Sequence, residues 1–206
     1  MADEKHRIEE FWAWFGEHKL EFSRLARPDE PFWDIAVEQL KKVDEKFWFE
    51  LSRDRHPARE FIVTAQGHVS SFSLAEKLVR FAPDIEGWAF IALKPPRGFK
   101  FETTYEGTRF DPRQIWFLPL ESKSDPGDLG LRIAVPGLES VDKSTAHSAV
   151  LVILDTGLGE QSAALDLQHT ELTDLPADPA SQGYIELPEL AEYIAWRKKR
   201  LESKSV

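Results

Sequence analysis

The segment Leu154-Asp155-Thr156-Gly157-Leu158-Gly159-Glu160 sets two carboxylates on either side of a pair of glycines. Two acids flanking a turn can act as general acid and base, or as ligands for a hard cation. A helix ending near Thr156 would make Gly157 its first residue beyond the end, in the left-handed conformation. Asp155 would then stand in the last turn, where the helix dipole disfavours a carboxylate by roughly 0.3–1 kcal/mol. The plainer alternative has Asp155 bonding turn amides and Glu160 in solvent. Two carboxylates do not complete a cation site. His169 is the third titratable candidate. It ends the alternation Ala163, Leu165, Leu167, His169, which predicts a strand. An imidazole there can serve as a base or a neutral ligand near pH 7, or be a half-buried group with one hydrogen bond. His18, four residues after Trp14, is expected to pack on that ring. His6, His56, His68 and His147 show no metal-binding spacing, so no metal and no other cofactor is expected.

Aromatic residues offer a different chemistry. The seven tryptophans do not all fall on the core faces of their elements. Trp14 lies off the stripe that contains Ile8, and Trp48 points opposite to Phe47 and Phe49 along an alternating run. Either these elements are buried on two sides, or some rings line a groove or an interface. Trp14, Trp48 and Trp116 are the candidates for such a binding surface.

Charge narrows the partners. The chain carries a formal net charge of −10, and residues 121–192 hold 14 acidic against 3 basic groups. Such a chain repels phosphate backbones, so nucleic acid is not expected. The acidic stretch serves solubility or steers a basic protein partner. The run Arg197-Lys198-Lys199-Arg200 is expected to pair with that stretch, within the chain or across a homodimer. No cysteine is present, which removes disulfides and thiolate metal sites. The N-terminal residues are charged, and the longest apolar run, Ala149 to Leu154, is too short for a bilayer. A cytoplasmic protein without a membrane segment is the expectation. Phosphate-loop, dinucleotide, nucleophile-elbow and zincin motifs are all absent from the sequence, which argues against the common enzymes that use them.

These residues need elements to position them. Ile8, Phe11, Phe15, Phe22 and Leu25 predict one helix over 4–25, and Phe32, Ile35, Ala36, Leu40 and Val43 predict a second that opens at Pro31. Phe47, Phe49 and Leu51 alternate, and Phe61 to Thr64 is apolar and β-branched, so a hairpin follows. A short helix after Ser73 ends before Pro83. Trp88 to Leu93 reads as a buried central strand. Phe99, Phe101, Thr103 and Tyr105 predict another strand, as do Ile115–Leu120 and Leu129–Val135, which flank a loop holding Pro126 and Gly127. Over Ser144–Thr156 both helix and strand fit. Helix is favoured because the apolar set outruns a strand's length. Pro188 opens a last helix. The order α-α-β-β-α-β-β-β-β-α-β-α predicts an α+β fold, a mainly antiparallel sheet covered by helices. No internal repeat or linker is visible, so one compact domain over 1–206 is expected.

Three stretches together carry a resemblance: Phe11-Trp12-Ala13-Trp14-Phe15, Ala82-Pro83-Asp84-Ile85-Glu86-Gly87-Trp88-Ala89-Phe90, and Leu154 to Glu160. In that order they resemble a family of bacterial proteins of about this length, a domain of unknown function. The family has no established activity, so the resemblance implies a bacterial protein and assigns no residue a role. Two functions stay open. One is a non-catalytic binding or regulatory protein that uses an acidic and aromatic surface, and it is preferred. The other is a small-molecule hydrolase or lyase built on Asp155, Glu160 and His169.

Overall fold

A computed structural model of the chain describes residues 2–53, 57–122, 125 and 127–203. His56 and Pro126 lie outside the described residues. The structure divides into two compact units, Met1–Lys94 and Pro95–Val206. The boundary is the step Lys94-Pro95, with no linker to announce it, which is why the sequence predicts a single domain. Among the described residues no helix is long and apolar enough to cross a membrane.

In the first unit, α1 (Ala2–Glu17) and α2 (Lys19–Arg24) replace the single expected helix. The break falls at His18, whose backbone leaves the helical region (φ −107°, ψ 16°). Its Nδ1 lies 2.9 Å from the Trp14 carbonyl oxygen, which already accepts the His18 amide at 3.1 Å. Side chain and main chain thus share the oxygen on which the helical ladder depends. The imidazole stacks on Trp14 as expected, with centroids 4.5 Å apart. Helix α3 (Pro31–Lys41) opens on proline, whose missing N–H is not needed at that position. It buries Trp33, Ala36, Val37 and Leu40, an i, i+3, i+4, i+7 face. That face is rotated from the predicted one, and Ile35 is left 47% exposed.

Strands β1 (Trp48–Leu51) and β2 (Arg59–Thr64) pair antiparallel, with Phe49 opposite Val63. The chain then crosses through α4 (Phe72–Arg80) to β3 (Trp88–Ala92), which lies parallel to β2. A parallel return needs such a crossover. The order β1-β2-β3 puts β3 at the edge rather than at the centre, and all five of its residues are half-buried. On one sheet face Phe49, Phe61 and Phe90 meet the helices. The Phe61 ring lies 5.2 Å from Phe15, 5.6 Å from Phe22 and 5.1 Å from Phe49. Trp12 Nε1 donates to the Leu78 carbonyl at 2.8 Å and ties α1 to α4.

The second unit opens with a hairpin, β4 (Thr103–Tyr105) and β5 (Thr108–Phe110). Glu106 and Gly107 in its turn both have positive φ, 46° and 81°, the combination whose twist matches that of paired strands. Next come β6 (Trp116–Glu121), β7 (Leu129–Val135), α5 (Lys143–Leu158), α6 (Glu160–Asp166), β8 (His169–Asp174), β9 (Ile185–Glu186) and α7 (Leu190–Glu202). The sheet order is β8-β7-β6-β9. Along β7, Leu129, Leu131, Ile133 and Val135 are buried as the alternation requires. Arg132 points away, and its Nε meets Glu171 of β8 at 2.5 Å. Pro119 sits within β6 opposite Leu131, while β9 pairs only with Trp116 and Phe117.

The fold is α+β, and among the described residues four of the six strand ladders pair antiparallel. The helix favoured over 144–156 is α5.

Candidate functional site

Helix α5 does not stop near Thr156. It runs through Gly157 to Leu158, so Gly157 is not a left-handed end residue. Its role is packing: a Cβ there would lie 2.1 Å from Cε1 of Phe99, and Phe99 is itself buried. The turn belongs to Gly159, at φ 80° and ψ 154°, a region open almost solely to glycine. Asp155 is half-buried within α5. Glu160 is the first residue of α6 and only 1% exposed, not solvated, in a position where the helix dipole favours an acid. Of the strand predicted over 163–169, residues 163–166 belong to α6, 167 and 168 lie in neither element, and β8 starts at His169. Helix α6 carries the chain about 9 Å from Glu160 to Asp166, and His169 follows three residues beyond its end. The His169 side chain is 63% exposed, and its Nε2 lies 3.8 Å from Glu171. The histidine and Glu160 therefore stand at opposite ends of α6. Among the described residues no group of three or more His, Asp or Glu side chains could hold a metal ion.

The tryptophans divide differently. Trp12 and Trp33 are buried. Trp14, Trp48, Trp88 and Trp116 are half-buried. Trp196, which the sequence did not single out, is 51% exposed and lies 5.3 Å from the Arg200 guanidinium. Of the three proposed surface rings, Trp14 packs in a cluster with His18 and Phe32, and Trp116 belongs to β6 of the second unit. Trp48 lines a cleft of the first unit.

That cleft, in the first unit, encloses about 680 Å³. Trp33 of α3, Trp48 and Phe49 of β1 and the segment 26–28 supply its apolar wall, with Arg27, Arg53 and Arg59 around it. Trp33 stacks on Phe49 at 4.4 Å. Its indole Nε1 is buried with no hydrogen-bond partner among the described residues, a state that costs about 1–3 kcal/mol. Arg59 is only 6% exposed. Its Nη1 donates to the Phe22 carbonyl at 2.5 Å and its Nη2 to that of Leu25. These are the last carbonyls of α2, which lack helical partners, so the arginine fixes where α2 ends. Arg59 escaped the sequence reading, yet a signal was there. It shares a period-2 face with Phe61 and Val63, which places it on the core side of β2.

The C-terminal basic run pairs within the chain. Lys198 Nζ lies 2.7 Å from Asp166, and Arg197 Nη1 donates to the Gly127 carbonyl at 2.9 Å. Compared with protein-family models, with curated proteins and with solved structures, the chain matches none of them.

Proposed function

We propose that this is a non-catalytic binding protein of the bacterial cytoplasm, which holds its ligand in the arginine-rimmed aromatic cleft of the first unit. The observation that carries this reading is the cleft's construction: about 680 Å³, a size typical of ligand sites, lined by Trp33, whose buried indole N–H has no acceptor among the described residues. The absence of cysteine suits a reducing compartment. The three stretches that resemble the bacterial family of unknown function support the source.

The reading moves away from a basic protein partner because the acidic stretch is partly consumed internally. Asp142 caps α5 by accepting the Ser144 and Thr145 amides. Glu171 pairs with Arg132, Asp166 with Lys198, and Asp174 accepts the Glu139 amide. The test is a thermal-shift screen across small organic acids, amines and neutral compounds, since a ligand that binds only the folded chain raises Tm. At least one class is expected to raise Tm in the native protein and not in Trp48→Ala. A flat response to every class, or shifts that survive Trp48→Ala, rules the cleft out.

A further inference from the structure

We propose that the ligand of this cleft is a small organic acid, with its carboxylate held by Arg53 and Arg27 and its flat apolar body laid against Trp48. The proposal rests on the cleft being the binding site and adds the class of ligand. Charge points to an anion. The lining holds three arginines, Arg27, Arg53 and Arg59, against one acid, Glu50, and Glu50 already meets Lys94 Nζ at 2.9 Å. In a chain of net charge −10, this is a local reversal of sign that draws anions to the cleft.

The arginines are differently engaged. Arg59 is fixed by the two α2 carbonyls and contributes its charge without moving. Arg53 is exposed and pairs with no acid among the described residues. Arg27 meets Asp29 at 3.4 Å, with both side chains about three-quarters exposed. Such a solvated pair is weak, and a ligand carboxylate can replace Asp29 at little cost. A guanidinium offers two parallel donors that match a carboxylate. The Trp33 N–H is a buried donor with no acceptor among the described residues. It is closed to solvent, so a ligand oxygen reaches it through a small displacement of its neighbours, gaining a bond the free protein lacks.

The walls choose among anions. Among the described lining residues there is no glycine, so the backbone cradle that commonly holds phosphate is missing. The half-buried ring of Trp48 would be idle against a compact inorganic ion and suits a planar organic body.

Titration of the tryptophan emission with 2-naphthoate, its neutral amide 2-naphthamide and inorganic phosphate tests this. Naphthoate is expected to bind saturably, and at least tenfold more tightly than the amide. Arg53→Gln should loosen naphthoate about tenfold, the worth of one charge-assisted contact, and leave the amide unchanged. Trp33→Phe should weaken naphthoate severalfold. Because Trp33 is buried and Arg53 exposed, Arg53→Gln keeps the test decisive even if Trp33→Phe fails to fold. Equal affinity for acid and amide overturns the carboxylate assignment. So does indifference to Arg53→Gln, or phosphate displacing naphthoate at lower concentration than naphthoate itself needs. In those cases binding that is still lost in Trp48→Ala leaves the cleft standing as the site. No binding of either aromatic probe overturns the inference, and the cleft reading then stands or falls on the wider screen.

Discussion

The two units share one connectivity and fill it with different residues. In each, an antiparallel hairpin leads through helix to a third strand parallel to the second: β1-β2-α4-β3 in the first, β6-β7-α5-α6-β8 in the second. Before Pro95 lie ten of the fourteen phenylalanines and five of the seven tryptophans. The first unit's core is accordingly a lattice of rings. The second is built on Leu131, Ile133, Val150, Ile153 and Leu154, closing around Phe99. Branched aliphatic chains interdigitate over a pleated sheet and leave little space. Rings are flat and meet edge to face or offset, which leaves room at the rim, and there the large cleft opens. Connectivity decides which elements are neighbours, and side-chain shape decides whether a site remains between them.

The comparison can be broken most sharply at the ring lattice. Phe61→Ala removes a fully buried side chain whose aromatic neighbours include Phe15, Phe22 and Phe49, and should cost about 4 kcal/mol in urea melts followed by tryptophan emission. Gly157→Ala should cost about 2–3 kcal/mol by far-UV circular dichroism, because the added methyl meets a buried ring. A cost below about 0.5 kcal/mol would show that the second core is not close-packed at that point. Arg59→Met leaves two α2 carbonyls without their donor and should cost about 2 kcal/mol, with faster amide exchange at the end of α2 as its signature. Trp12→Phe, which removes the bond to Leu78 and part of a buried ring packed on Phe15 and Phe90, should cost about 1–2 kcal/mol.

The smallest effect sharpens the contrast by pH. The Ser144 hydroxyl, with the Thr145 and Ser144 amides, holds the Asp142 carboxyl below the ordinary aspartate range. Its folded pKa lies below its unfolded one, so its contribution is complete above the unfolded value and lost as pH falls through the folded one. Stability should therefore decline below about pH 4 in part through this group. Asp142→Asn, which still caps a helix, should flatten that acid branch in Tm-against-pH curves and change little at pH 7.

Patterns with a local cause were legible in the sequence, and those set by distant partners were not. The alternation along β7 was readable because one buried sheet face requires it, and α5 because its apolar set outruns a strand. The Ala163–His169 alternation misled because it spans an element boundary: Ala163 and Leu165 belong to α6, while His169 opens β8. Gly157 looked like a helix end because its reason for being glycine, Phe99, lies 58 positions earlier. The cleft was partly foreseen through Trp48. Trp33 joined it only once α3 was seen to rotate Ile35 outward, and Arg53 and Arg27 reach it through the pairing of β1 with β2 and the end of α2, which no local pattern encodes.

Pro119 has a consequence for the protein in crowded solution. Proline has no amide proton to give, so within a sheet its nitrogen must face a side where no ladder bond is required. Strand β6 is flanked by β7 throughout and by β9 only as far as Phe117, which turns the Pro119 nitrogen toward the rim that β9 leaves uncovered. A foreign strand arriving there finds a ring in place of a donor. Two residues of β9 and one proline thus do the work of a longer covering strand, and they guard this sheet against accretion of further copies along its margin.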